Sequence, residues 1–170
     1  MMGTPEAIIC HTISSRVVDR LFINGRETGE FGLNADLAGW HGVPSVFISG
    51  DAAVAAEAKS FVPEINTAIV KWGVSRYAAR CLHPKRARAL IKRGAKAALA
   101  NAAKIKPFKV EEPVEVKIRL ASSTQAEVSS ILPFVETLDG RTIKATFNDY
   151  QKAHRGIIAM ILFASAIQTP

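Results

Sequence analysis

The sequence predicts an α/β fold: a mixed sheet with flanking helices, layered in a single domain. Three observations predict it. Strand-type and helix-type segments alternate along most of the 170 residues, the order that α/β architectures show. Residues 45–49, SVFIS, form a short continuous apolar run, as in a strand covered on both faces. Residues 114–120, VEVKIRL, alternate cleanly instead, as in a strand with one solvated face. One domain over residues 1–170 follows from a length sufficient to bury a core and from the lack of any internal repeat, low-complexity tract or linker.

The elements follow in order. Ala7 to Cys10, AIIC, is a strand-like apolar run that ends at His11. Residues 17–23, VVDRLFI, are rich in β-branched and aromatic side chains and read as a strand. Asn24-Gly25 is a hairpin turn, because both residues tolerate positive φ, and a short return strand runs through Glu27. From Glu30 to about His41 a helix is predicted. Its buried face would carry Phe31, Leu33, Asn34, Leu37, Ala38 and Trp40, and Gly42 and Pro44 end it. After the strand at 45–49, Asp51 is placed to cap an Ala-rich helix over 51–61. Residues 66–72, NTAIVKW, read as a strand. Pro84 suits the first position of a helix that runs to about Lys104, with Ala87, Leu90, Ile91, Ala95, Ala98, Leu99 and Ala102 on one face. A short helix over 123–132 and a strand over 141–147 follow. Asn148 can cap a last helix through about Ala166. That helix holds the longest apolar run, residues 156–167, which is too short to span a bilayer and reads as a buried helix.

Composition narrows the classes. At 48% apolar and 22% charged residues the chain is globular material. Cys10 and Cys81 make no disulfide framework and suit a reducing, cytoplasmic setting. The first residues, MMGTPEAIICH, carry no basic region and no long apolar core, so no signal peptide is read. The net charge of +7 would suit nucleic acid, but residues 83–110 hold nine Lys/Arg and no Asp/Glu, and removing those nine leaves −2 for the remainder. The excess belongs to one helix and its exit. Its bland reading is a solvated face, with only Phe108 close by to stack a base. Neither a nucleic-acid nor a membrane partner is expected.

No GxSxG, P-loop, GxGxxG, HExxH or CxxC is present, so candidate chemistry rests on isolated residues. His11, taken alone, reads as a strand-end histidine bonded to backbone. Glu30, between Gly29 and Phe31-Gly32, reads alone as a carboxylate at a helix N-terminus. His41 and His83 neighbour turns and are expected to be structural or exposed. Gln125-Ala126-Glu127 is either a capping feature with Ser123 or a polar element facing a site.

Together, HTISS, VVDRLFINGRETGEFGLNADLAGWHGVPSVFISGD, VSRYAARCLHP and STQAE closely resemble the bacterial zinc D-aminopeptidase family, in order and spacing across essentially the whole chain. The resemblance implies a metallopeptidase with two Zn2+ ions that removes the amino-terminal residue of short D-amino-acid peptides and assembles as a ring-like homo-oligomer. It implies that Glu30, the Glu of GE-x-GLN, is a zinc ligand. It also implies that His11, the His of the HT motif, is the catalytic histidine. The family pattern also has an Asp-x-Glu motif and two further zinc-binding histidines, the second just upstream of the position matching Gly3-Thr4. None of these occurs in this sequence, so the expected metal site is incomplete and the chain reads as a C-terminal portion of the family's domain. The alternative is a catalytically inactive truncated homologue that keeps only an oligomerising, interacting surface.

Overall fold

The structure is a computed structural model, and it describes residues 1–167. In chain order its elements are β1 (Val18–Ile23), β2 (Arg26–Glu27), α1 (Glu30–Trp40), β3 (Phe47–Asp51), α2 (Ala52–Phe61), β4 (Asn66–Ser75), β5 (Ala78–Cys81), α3 (Pro84–Ala100), β6 (Val114–Leu120), α4 (Ser123–Ser129), β7 (Glu136–Thr137), β8 (Thr142–Phe147) and α5 (Tyr150–Ser165). The α/β class holds. The strands divide between two sheets. One has the order β2-β1-β6-β8-β7 and is antiparallel throughout; the other has the order β3-β4-β5. The mixed sheet is the smaller one, parallel between β3 and β4 and antiparallel between β4 and β5. The chain forms two compact units. The first holds residues 1–2, 11–33 and those from 110 onward; the second holds residues 3–10 and 34–109.

The first unit is built on β6. Its alternating sequence places Val114, Val116, Ile118 and Leu120 on one fully buried face, as period-2 patterning requires. On β1 the buried residues are Val18, Leu21 and Ile23, and the break in alternation has a structural cause. The β1–β6 register shifts between Val18 and Arg20. The extra residue of this bulge returns Leu21 and Ile23 to the core side. Asn24 and Gly25 both adopt positive φ, 47° and 78°, and form the expected hairpin turn into β2. Helix α5 packs on β6 and β8 and buries Tyr150, Ala153, Gly156, Ile157, Met160, Ile161 and Ala164, the 3–4 spacing of a core-facing stripe. Its cap is Asp149, which accepts from the Lys152 N–H at 2.8 Å, rather than the expected Asn148. Helix α4 is capped by Ser122 and Gln125 as a reciprocal capping box, one residue before the expected Ser123. The buried Gln125 amide also donates to the Arg16 carbonyl at 3.1 Å, so Gln125 is a tie within the fold.

In the second unit, Asp51 caps α2 as expected, accepting from the Val54 N–H at 2.8 Å. Its other oxygen accepts from the Ile8 N–H at 3.0 Å. That bond belongs to a correction. Residues 7–10 form no strand. They run as turns tied to this unit by the Asp51 bond and by Ile9 N–H donating to the Arg76 carbonyl at 2.8 Å. The run at 45–49 begins its strand only at Phe47, and most of β3 is half-covered rather than buried on both faces. Helix α3 starts at Pro84 as expected, but Leu99 is 72% exposed and Ala98 is its buried residue. The helix seats on the sheet through Gly94, where an added Cβ would lie 2.7 Å from the Phe47 ring and 3.7 Å from Ala68 Cβ.

Helix α1 begins in the first unit and ends in the second. Its buried positions are Gly32, Leu33, Ala35, Asp36 and Gly39, while Asn34 is exposed and Phe31, Leu37, Ala38 and Trp40 are half-covered. Leu33 is buried as expected, but the rest of the buried face is Gly32, Ala35, Asp36 and Gly39 rather than Phe31, Leu37 and Trp40.

Candidate functional site

His11 and Glu30 are nineteen residues apart in sequence. The β1–β2 hairpin lies between them and folds the chain back on itself. Its two ends are thus neighbours, and His11 Nε2 stands 3.6 Å from Glu30 Oε2. The side chains are 35% and 51% exposed. At that distance the pair is an ion pair when the imidazole is protonated, but it is too long for a hydrogen bond. Exposed pairs of this kind contribute roughly 0–1 kcal/mol, so the pairing does little for stability. Its chemistry is a carboxylate and an imidazole reachable from solvent.

Both residues sit on anchored backbone. Thr12, next to His11, is buried. Before Glu30, the buried Thr28 donates its N–H to the Leu21 carbonyl and its hydroxyl to the Arg26 carbonyl, each at 2.9 Å. Glu30 is the first residue of α1, where a negative charge is favoured by the helix N-terminus. One turn on, the Leu33 N–H donates to the Gly29 carbonyl at 3.0 Å, and the Leu33 carbonyl accepts from the Tyr150 hydroxyl at 2.9 Å. Tyr150 carried no signal in the sequence. It stands in the polar stretch FNDYQKAHR, and its partner is 117 residues away.

The other candidates lie apart from this pair. His83 is exposed and caps α3, its Nδ1 accepting from the Lys85 N–H at 3.3 Å. His41 is exposed and stacks edge-on against Trp40 at 4.7 Å between centroids. His154, on α5, is half-buried, and burial holds its imidazole below the ordinary pKa. A cleft of about 340 Å³ in the second unit lies between Phe61–Glu64 and Lys104–Phe108 and contains no histidine or cysteine. Among the described residues, no three His, Cys, Asp or Glu side chains converge in a group that could hold a metal ion.

The D-aminopeptidase family, peptidase M55, matches residues 1–159. The chain belongs to that family. The D-aminopeptidase of Bacillus subtilis (strain 168) is 35% identical over 144 residues, which are 84% of this chain and 53% of that protein. A solved structure, the Zn-dependent D-aminopeptidase DppA from Bacillus subtilis, a self-compartmentalizing protease, superposes with a TM-score of 0.95 at 30% identity and covers 100% of this chain and 62% of that one. The chain thus spans about half the length of the curated relative that it matches.

Proposed function

We propose that this chain forms part of a zinc-dependent aminopeptidase that releases the N-terminal residue of short D-amino-acid peptides. In this reading Glu30 is a metal ligand and His11 is the catalytic histidine. The observation that carries it is the 3.6 Å approach of His11 and Glu30 in a chain of the D-aminopeptidase family. An imidazole and a carboxylate are both zinc-type donors, so the pair fits a zinc site in kind. It does not complete one. Zinc sites take at least three protein ligands, and no such group exists among the described residues. In this reading the metal site needs further ligands besides Glu30. Bound zinc would supply a hydroxide at neutral pH by lowering the pKa of its water.

The chain's own residues account for the rest. Glu30 stands at the start of a helix whose first turn is fixed at both ends, so the backbone that carries its carboxylate is held. His11, one-third exposed, can reach a bound peptide. Its Nε2 can hold a proton and deliver it to the departing amine, or donate to the developing oxyanion. The DppA neighbour is described as self-compartmentalizing, and by that likeness we take this protein to act as a homo-oligomer, ring-like as the family resemblance implies. The free thiols of Cys10 and Cys81 fit a cytoplasmic setting. No helix among the described residues is long and apolar enough to cross a membrane.

The test is hydrolysis of an unblocked D-dipeptide, with the released amino acid quantified, by the whole enzyme of which this chain forms part and by its Glu30→Ala and His11→Ala variants. Each substitution is expected to lower kcat/KM by about 100-fold or more, and Glu30→Ala is also expected to lower bound zinc. Full activity in Glu30→Ala, or an intact oligomer with no hydrolysis in the unsubstituted protein, would overturn the reading. The second result would leave the inactive, interacting homologue as the better account.

A further inference from the structure

We infer that Tyr150 is a positioning residue for Glu30. The inference rests on the reading of Glu30 as a functional carboxylate. The Tyr150 hydroxyl donates to the Leu33 carbonyl at 2.9 Å, and both residues are nearly inaccessible, at 2% and 3% exposure. Leu33 lies three residues after Glu30, so the anchored carbonyl is less than one helical turn, roughly 4.5 Å along the axis, from the Glu30 backbone. A carbonyl has two lone pairs and can accept the phenol beside a helix bond.

The turn is held at its other end as well. Thr28 fastens the chain to the hairpin through its N–H and its hydroxyl. Between Thr28 and Leu33 the backbone carrying Glu30 has little room to rock. The phenol is itself fixed, because α5 lies on the core of the five-stranded sheet and buries Tyr150 in its first turn. Leu33 and Tyr150 are 117 residues apart in sequence. The bond therefore joins the start of α1 to the start of α5, and no local interaction would replace it.

The phenol is bonded to the Leu33 carbonyl, so its effect here is on the placement of the backbone that carries Glu30. Placement matters steeply: a displacement of about 1 Å can cost about 100-fold in rate, and partners that orient metal ligands typically contribute roughly 10–100-fold.

The experiment compares Tyr150→Phe with a matched control, Ser129→Ala. Ser129 is fully buried, and its hydroxyl donates to the Met160 carbonyl of the same helix α5 at 3.2 Å. Both variants lose one buried hydroxyl bonded to a backbone carbonyl; only one of those bonds reaches α1. Three readouts are taken: hydrogen exchange at the Leu33 amide, melting temperature, and kcat and KM for a D-dipeptide, with Glu30→Ala alongside. Tyr150→Phe is expected to speed Leu33 exchange and lower kcat about 10-fold with KM little changed. Ser129→Ala is expected to lower the melting temperature similarly while leaving Leu33 exchange and kcat within about twofold.

Unchanged Leu33 exchange in Tyr150→Phe overturns the inference whatever the activities are. Equal losses of kcat in Tyr150→Phe and Ser129→Ala also overturn it. A Tyr150→Phe chain that fails to fold overturns it too, because the hydroxyl would then support the whole unit rather than one turn. Full activity in Glu30→Ala is a separate failure. It removes the functional reading, while the exchange measurement still decides whether the phenol holds the helix start.

Discussion

Gly39→Ala tests how α1 is seated. Gly39 lies in the last turn of that helix, where glycine costs about 1 kcal/mol relative to alanine. On propensity alone the substitution should stabilise the protein by that amount. The structure gives the opposite sign. A Cβ at Gly39 would stand 1.6 Å from the Phe108 carbonyl oxygen, 2.7 Å from its carbon and 3.2 Å from its nitrogen. Real Cβ contacts essentially never fall below 3.0 Å, so the two backbones must separate by about 1.4 Å. No flexible side-chain tip can give way, because all three atoms are main chain. Phe108 is further constrained by its edge-on contact with the Phe61 ring, 5.4 Å between centroids. Overpacking of this kind costs about 1–3 kcal/mol, and a backbone clash belongs at the upper end. Against the helix gain, the net loss is about 2 kcal/mol. For a chain of this length that is about 4–8 °C in melting temperature. Thermal unfolding followed by circular dichroism measures it. Gly140→Ala is the control, since nothing lies within 4 Å of its added Cβ, and its melting temperature should stay within about 2 °C. A melting temperature for Gly39→Ala equal to or above that of the unsubstituted protein would refute the reasoning, because propensity would then outweigh the contact.

Two further predictions concern the first unit. Ile118→Ala, at a fully buried position on β6 between β1 and β8, should cost about 2–5 kcal/mol by equilibrium urea unfolding; a loss under 1 kcal/mol would mean the site collapses around the gap. Burial lowers the His154 pKa, so the unfolded chain takes up a proton at a higher pH than the folded one does. Stability should therefore fall as pH drops below the ordinary histidine value of about 6.5. His154→Gln should flatten that part of the melting-temperature profile, and an unchanged slope would show that another group sets it.

Elements whose rule is local were legible in the sequence. Asn24-Gly25 fixed a hairpin because both positions need positive φ, and they adopt it. The alternation of 114–120 gave a strand with those limits. Pro84 marked a helix start because its missing N–H costs nothing there. Elements set by partners were not legible. β5, Ala78–Cys81, has four exposed residues and no alternation, and it is a strand because β4 offers it a pairing edge. Residues 7–10 look like a strand by composition, yet their N–H groups are taken by Asp51 and Arg76 instead of a sheet. Leu99 fits the apolar stripe of α3 by spacing and still faces solvent, because the buried contact of that helix is narrow and centred on Ala98 and Gly94. On α1, hydrophobicity chose Leu33, which is buried, but also Phe31, Leu37 and Trp40, where close approach chose glycine and alanine instead.

The same division runs through the candidate site. His11 and Glu30 are brought together by one hairpin whose turn, strand and return are all readable in nineteen residues. That is why a short, local sequence pattern can bring these two side chains together. The hold on Glu30 is of another kind. It depends on a phenol 117 residues further on, in a stretch without distinctive pattern, and that phenol is in place only because α5 is packed on the sheet. Substitutions that displace α5 should therefore reach Glu30 through Tyr150 before they unfold the protein. Gly156→Ala is a case in point. Its Cβ would lie 2.2 Å from the tip of the Phe147 ring, so either that ring or α5 must shift. A displaced α5 carries Tyr150 with it, so kcat should fall in the still-folded variant, with Leu33 amide exchange rising in step. Lost activity with unchanged Leu33 exchange would mean that the two ends of α5 move independently and that the core does not govern Glu30.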